Sequence, residues 1–184
     1  MPEVSLATPA QVLDFWFGVD PQKWFSRDDA FDAAIVERFL PTYEAAAAGR
    51  LSDWETTQDN ALALIIVLDQ FPRNMFRGSP RVFAADALAL AVATRAVARG
   101  FDQKLPLPKR NFFYLPLMHS ENRADQERCV ALSRQSADEN TLTYAELHAD
   151  IIRRFGRFPH RNAVLGRSTT PEEQAFLDAG GFAG

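Results

Sequence analysis

The chain has 184 residues, 47% of them apolar, and a formal net charge of −4. That length and apolar content suffice for a core that folds alone, and residues 1–184 read as a single domain. The charge argues against a generally basic nucleic-acid binder, and the longest strictly apolar run, Ala61 to Leu68, is far too short for a membrane span. Arginine outnumbers lysine 17 to 3, so nearly every cation is a planar donor suited to carboxylate or phosphate. Cys129 is the only cysteine, which excludes an internal disulfide, and the N-terminal residues have no secretory pattern. Both features point to the cytoplasm.

Helix punctuation is legible along the chain. Thr8-Pro9, Ser79-Pro80 and Thr170-Pro171 each offer a hydroxyl cap followed by proline at the first helical position. Thr8 with Gln11, Thr143 with Glu146, and Thr170 with Glu173 have capping-box spacing. Gly18, Gly49, Gly100 and Gly156 follow apolar stretches, where left-handed caps end helices. The pattern predicts seven or eight helices, at about 9–17, 28–48, 55–70, 80–99, 109–119, 121–136, 143–155 and 171–178. Pro41 is expected to kink or split the second, and Pro116 the fifth. No stretch alternates as a strand does, so the fold class is all-α, with no sheet and with antiparallel helix pairs. Phe15, Trp16, Phe17, Trp24 and Phe25 read as core packing or as a lid.

Two segments resemble each other. Asp69-Gln70-Phe71-Pro72-Arg73-Asn74 and Arg157-Phe158-Pro159-His160-Arg161-Asn162 each follow an apolar helical stretch. In both, proline is expected to stop the helix, the aromatic to anchor the turn, and arginine to be left at a fixed place. The predicted ligand-binding residues are Asp69, Arg73, Asn74, Arg77, Arg157, His160, Arg161 and Asn162, lining one cleft for a small anionic molecule or an acidic peptide end. Asp69 and Asp86 stand alone among apolar neighbours, and the plainer reading makes them buried staples to arginine.

A second reading is catalytic. His119 and Glu121 emerge where an aromatic helix gives way to polar residues, with His119 as general base and Glu121 as its orienter. Capping roles would explain the same pair. His119, His148 and His160 have no spacing typical of metal ligands, so no metal or other cofactor is expected. The arginines between Arg153 and Arg167 are interleaved with Phe155 and Phe158, yet the chain lacks the basic excess of a nucleic-acid binder. A third reading, a scaffold for a protein partner, requires a broad apolar surface.

Five motifs in order carry a family resemblance. They are Val12-Leu13-Asp14-Phe15-Trp16-Phe17-Gly18, Lys23-Trp24-Phe25, Leu68 through Gly78, Tyr114 through Glu121, and Arg157 through Asn162. Together they closely resemble the bacterial and fungal family known as domain of unknown function 924, from about Val12 to Leu177. The resemblance implies a tetratricopeptide-like array of antiparallel helix hairpins. It implies no activity, substrate or cofactor.

Overall fold

A computed structural model of the chain describes residues 5–182. Among these residues every regular element is helical, and no strand is present. No helix among them is long and apolar enough to cross a membrane.

Helix α1 (Pro9–Phe17) begins with the expected box. The Thr8 hydroxyl accepts from the Gln11 N–H at 3.3 Å, and the Gln11 side chain accepts from the Thr8 N–H at 2.9 Å. Gly18 ends α1 differently from the expectation. Its φ of −83° is ordinary, and glycine is required there because a Cβ would lie 2.4 Å from the Asp14 carbonyl oxygen. Gly49, Gly100 and Gly156 do adopt positive φ, as helix ends of this kind need.

Helix α2 (Asp29–Ala47) runs through Pro41 without dividing, contrary to a split at that residue. Helix α3 (Gln58–Ile65) passes through a π segment (Ile66–Gln70) directly into α4 (Phe71–Met75). The first Phe-Pro step therefore does not stop the helix. Pro72 has no N–H for an α-helical bond to Leu68, and its ring would crowd that carbonyl. The wider turn absorbs the conflict, with the Phe71 N–H donating to the Ile66 oxygen. Such π-bulges are rare and concentrate where side chains must be re-aimed for function.

Next come a 3₁₀ turn (Pro80–Phe83), α5 (Asp86–Ala98), a 3₁₀ turn (Lys109–Phe113) and the short α6 (Leu115–Met118). Helices α7 (Arg123–Ser136) and α8 (Glu139–Phe155) pack along each other. Helix α8 starts earlier than the Thr143 box implied, because Asp138 caps it by accepting from the Asn140 and Thr141 N–H groups. Thr143 instead donates to the Glu139 carbonyl at 2.8 Å inside the helix. After Gly156 the second Phe-Pro step forms a 3₁₀ turn (Pro159–Arg161), and α9 (Pro171–Asp178) follows.

The main core surrounds the continuous α3–π–α4 rod, whose residues Ala61 to Pro72 are all buried. Contacts run mainly between elements close in the chain: α1 with α3, α2 with α4, α3 with α5, α5 with α6, and α6 with α7. Phe15, Trp16, Phe31, Phe39 and Phe71 form one aromatic cluster, so most of the N-terminal aromatics are core rather than lid. Phe25, at 73% exposure, is the exception. A smaller cluster of Ile151, Ile152 and Phe158 packs with Phe155, Phe176 and Phe182 under the second corner.

Thr170 and Glu173 form the other predicted box, and Glu173 also takes the Arg157 guanidinium. Thr170→Ala is expected to lose about 1 kcal/mol of stability, the usual worth of an N-cap. Urea denaturation followed by far-ultraviolet dichroism would register it.

Candidate functional site

The π segment aims Asp69 into the protein, where its side chain is fully buried. One carboxylate oxygen, Oδ1, lies 2.8 Å from His119 Nδ1 and 3.4 Å from Arg73 Nη2. The other accepts from the Gln70 amide at 2.6 Å. Arg73 sits one helical turn beyond Asp69, and its Nη2 is also 3.2 Å from Asp86 Oδ1 at the start of α5. Arg161 arrives from the second corner, with Nη1 3.5 Å from Asp86 Oδ2 and Nη2 donating to the His119 carbonyl at 2.9 Å. Its guanidinium lies 4.5 Å from the centre of the Phe83 ring and 4.6 Å from that of Phe158, within cation–π range of both.

The two Phe-Pro corners therefore meet, and Asp86 is the carboxylate they share. Their arginines are 88 residues apart in sequence, Arg73 against Arg161. The cluster is sealed at Asp69 and open at its other edge. The Arg73, Asp86 and His119 side chains are 22%, 20% and 17% exposed.

Electrostatics give each group a distinct state. Burial pushes the Asp69 carboxyl up, but His119, Arg73 and Gln70 outweigh it and hold the pKa at about 2. Burial, reinforced by Arg73, lowers His119 below the ordinary imidazole value, so the ring is neutral at pH 7. A neutral ring facing an ionised Asp69 must carry its proton on Nδ1. The lone pair is then on Nε2, which makes no hydrogen bond among the described residues. Burial raises Asp86, with the Asp69 charge adding to the effect against Arg73. Burial and Arg73 lower Arg161 to about 10, which leaves it charged at neutral pH. The cluster thus holds two cations, two carboxylates and a neutral imidazole.

The remaining predicted residues are placed elsewhere. Asn74 and Arg77 both donate to Asp32 of α2, at 2.7 Å and 3.1 Å. Arg157 pairs with Glu173 at 2.6 Å and fastens α9, and Asn162 donates to the same carboxylate at 3.1 Å. Glu121 does not orient His119. It accepts from the Phe158 N–H at 2.8 Å and from Arg167 at 2.7 Å, which anchors the second corner. His160 lies behind Arg161 among Phe158, His148 and Phe182.

Asp69, and not Glu121, is therefore the carboxylate that meets the His119 ring. Phe83 was missed, since one aromatic in an apolar stretch carries no signal of its own. Among the described residues no three His, Cys, Asp or Glu side chains converge as metal ligands. Two surface hollows, of about 440 and 560 Å³, are lined by Leu6, Pro41, Glu44 and Arg50 and by residues around Arg154 and Phe176, away from the cluster.

Fold and site together define an all-helical protein in which two proline corners converge on a buried Asp–His–Arg cluster. The chain belongs to the family described as "bacterial protein of unknown function (DUF924)", whose profile matches residues 12–181. It is also similar to the solved structure of a protein of unknown function, ATU0120, from Agrobacterium tumefaciens. That similarity is 45% identity over 93% of this chain and 97% of the other, with a TM-score of 0.90. No curated protein matches the chain.

Proposed function

We propose that this protein binds a small molecule through a carboxylate or phosphate group at Arg73 and Arg161, beside His119. The reading is carried by one observation: guanidinium groups from two distant corners converge on Asp86, a carboxylate still reached by solvent. Bidentate, planar donors of this kind recognise acidic groups. Asp86 offers both guanidinium groups the kind of acidic group such a ligand would bring, and an incoming anion shares or displaces it. A free acidic peptide end offers the same chemistry. The cytoplasm is a suitable setting, because Cys129 is a free, buried thiol.

Charge balance makes the expected affinity modest and gives a specific test. Isothermal titration with inorganic phosphate, oxalate and 2-oxoglutarate is expected to show binding by at least one of them. Arg161→Ala should abolish it, and Arg73→Ala should weaken it severely. Asp86→Asn removes the competing charge and should tighten binding by about tenfold or more. Absence of binding in both the wild type and Asp86→Asn would contradict the reading.

A further inference from the structure

We propose that the Asp69–His119 pair is an acid–base couple that removes and returns a carbon-bound proton of a 2-oxo acid held by Arg73 and Arg161. The proposal rests on the anion-binding reading above and adds a reaction to it. Its geometric basis is the arrangement around one imidazole. Nδ1 is fixed by a wholly buried carboxylate at 2.8 Å, the backbone carbonyl is held by Arg161 at 2.9 Å, and Nε2 makes no hydrogen bond among the described residues. A carboxylate behind a histidine sets the tautomer and stabilises the imidazolium that forms when Nε2 takes a proton.

The surroundings favour proton transfer over covalent catalysis. The Cys129 sulfur is buried, lies 3.5 Å from the Tyr114 carbonyl oxygen, and has its pKa pushed up to about 12. Ser120, next to His119, donates its hydroxyl to Asp125 at 2.7 Å. What remains around the imidazole is a base and two guanidinium groups. The charged groups facing it are Asp69 from the π segment, Arg73 from α4 and Asp86 from α5, with Arg161 on its carbonyl. With burial and Arg73 keeping the ring neutral, it is available as a base at pH 7.

Those parts select the substrate class. The arginines accept a carboxylate, and of the carbon acids an imidazole base can deprotonate one whose C–H is made acidic by an adjacent carbonyl. A 2-oxo acid has both, with the carbonyl oxygen beside the carboxylate. In the step, the C3–H bond breaks and the proton bonds to Nε2. The C–H electron pair becomes the C2–C3 double bond, and the carbonyl π pair moves onto oxygen, near the guanidinium donors. Return of a proton to C3 reverses the step without any oxidant or reductant.

Solvent exchange tests this without knowledge of a final product. In D₂O, proton NMR of 2-oxobutyrate and 2-oxoglutarate with the whole protein is expected to show loss of the C3 signal at least about a hundredfold faster than without protein. His119→Gln should return exchange to the background while binding by titration persists. Asp69→Asn, which alters a positioning residue, should slow exchange and displace its pH profile. If His119→Gln does not fold, the wild-type profile decides. Exchange should be level near neutral pH and fall off only below the ordinary imidazole range, whereas a rate proportional to hydroxide overturns the proposal. Binding without exchange, or exchange undiminished in a folded His119→Gln, also overturns it while leaving the anion site intact. No binding of either acid by the wild type or Asp86→Asn overturns this proposal, and if phosphate and oxalate also fail to bind, the anion reading falls with it.

Discussion

Asp69→Ala is expected to lose about 3–5 kcal/mol of folding stability, because it removes one member of a buried, hydrogen-bonded charge cluster. The carboxylate is fully buried and engages His119, Arg73 and Gln70 at once. Truncation leaves the Gln70 amide and the His119 Nδ1–H without their acceptor, and Arg73 keeps Asp86 and the Val82 carbonyl. Unpaired buried donors carry their full desolvation cost. Asp69→Asn keeps a carbonyl acceptor and should cost less. Urea denaturation of wild type and both variants at pH 7 measures the difference. A loss under about 1 kcal/mol for Asp69→Ala, the level of an exposed ion pair, would show that the cluster is not closed as described.

The second large effect concerns acid. Burial lowers His119, His148 and His160 below the ordinary imidazole value, and His160 falls to about 4. Arg161 and His148 add to the shift at His160. The unfolded chain binds protons at these positions from about pH 6.5 downward, while the folded chain resists until lower pH. Stability from these groups is therefore complete above about pH 6.5 and declines as pH falls toward 4. For His160 alone, the decline amounts to about 3 kcal/mol. Asp86, whose carboxyl burial raises, works in the opposite sense and offsets part of it. Unfolding free energies at pH 7 and pH 4.5 should differ by about 2 kcal/mol or more. His160→Phe, which keeps an aromatic ring between Phe158 and Phe182, should flatten that slope. Equal stability at both pH values would contradict the buried, neutral state of these rings.

Much of this architecture is written in local signals. Thr8 and Thr170 act as caps because a hydroxyl, a proline and an amide or carboxylate at fixed spacing leave little alternative. The later start of α8 in the sequence reading has a physical origin. Ala137 takes a left-handed turn at φ 58° without being glycine, so the helix break before the Asp138 cap is unmarked. Gly18 misled in the opposite way, since its small size serves a close approach to Asp14 and not a left-handed cap.

The site was legible to a similar degree. The repeated Phe-Pro-x-Arg or Phe-Pro-Arg order marked Arg73 and Arg161, whose convergence on Asp86 depends on tertiary packing. Asp69 stood out as a charge in an apolar rod. Its pairing with His119, 50 residues later in sequence, has no local trace. Sequence proximity favours Glu121 as the orienter, two residues from His119, yet the chain turns between them and commits Glu121 to Phe158 and Arg167. Arg77, Arg157 and Asn162 lie in or beside the same two segments, but acidic neighbours on α2 and α9 claim them. Residue type alone cannot separate a guanidinium that fastens a helix from one left at an opening.

The most direct test is a long-range nitrogen–proton NMR spectrum of the imidazole rings at pH 7, with His119→Gln for assignment, recorded before and after addition of 2-oxoglutarate. His119 is expected to be protonated on Nδ1, with its Nε2 resonance moving on addition while His148 and His160 stay nearly still. A His119 protonated on Nε2, or bound 2-oxoglutarate that leaves the His119 resonances in place, would contradict it.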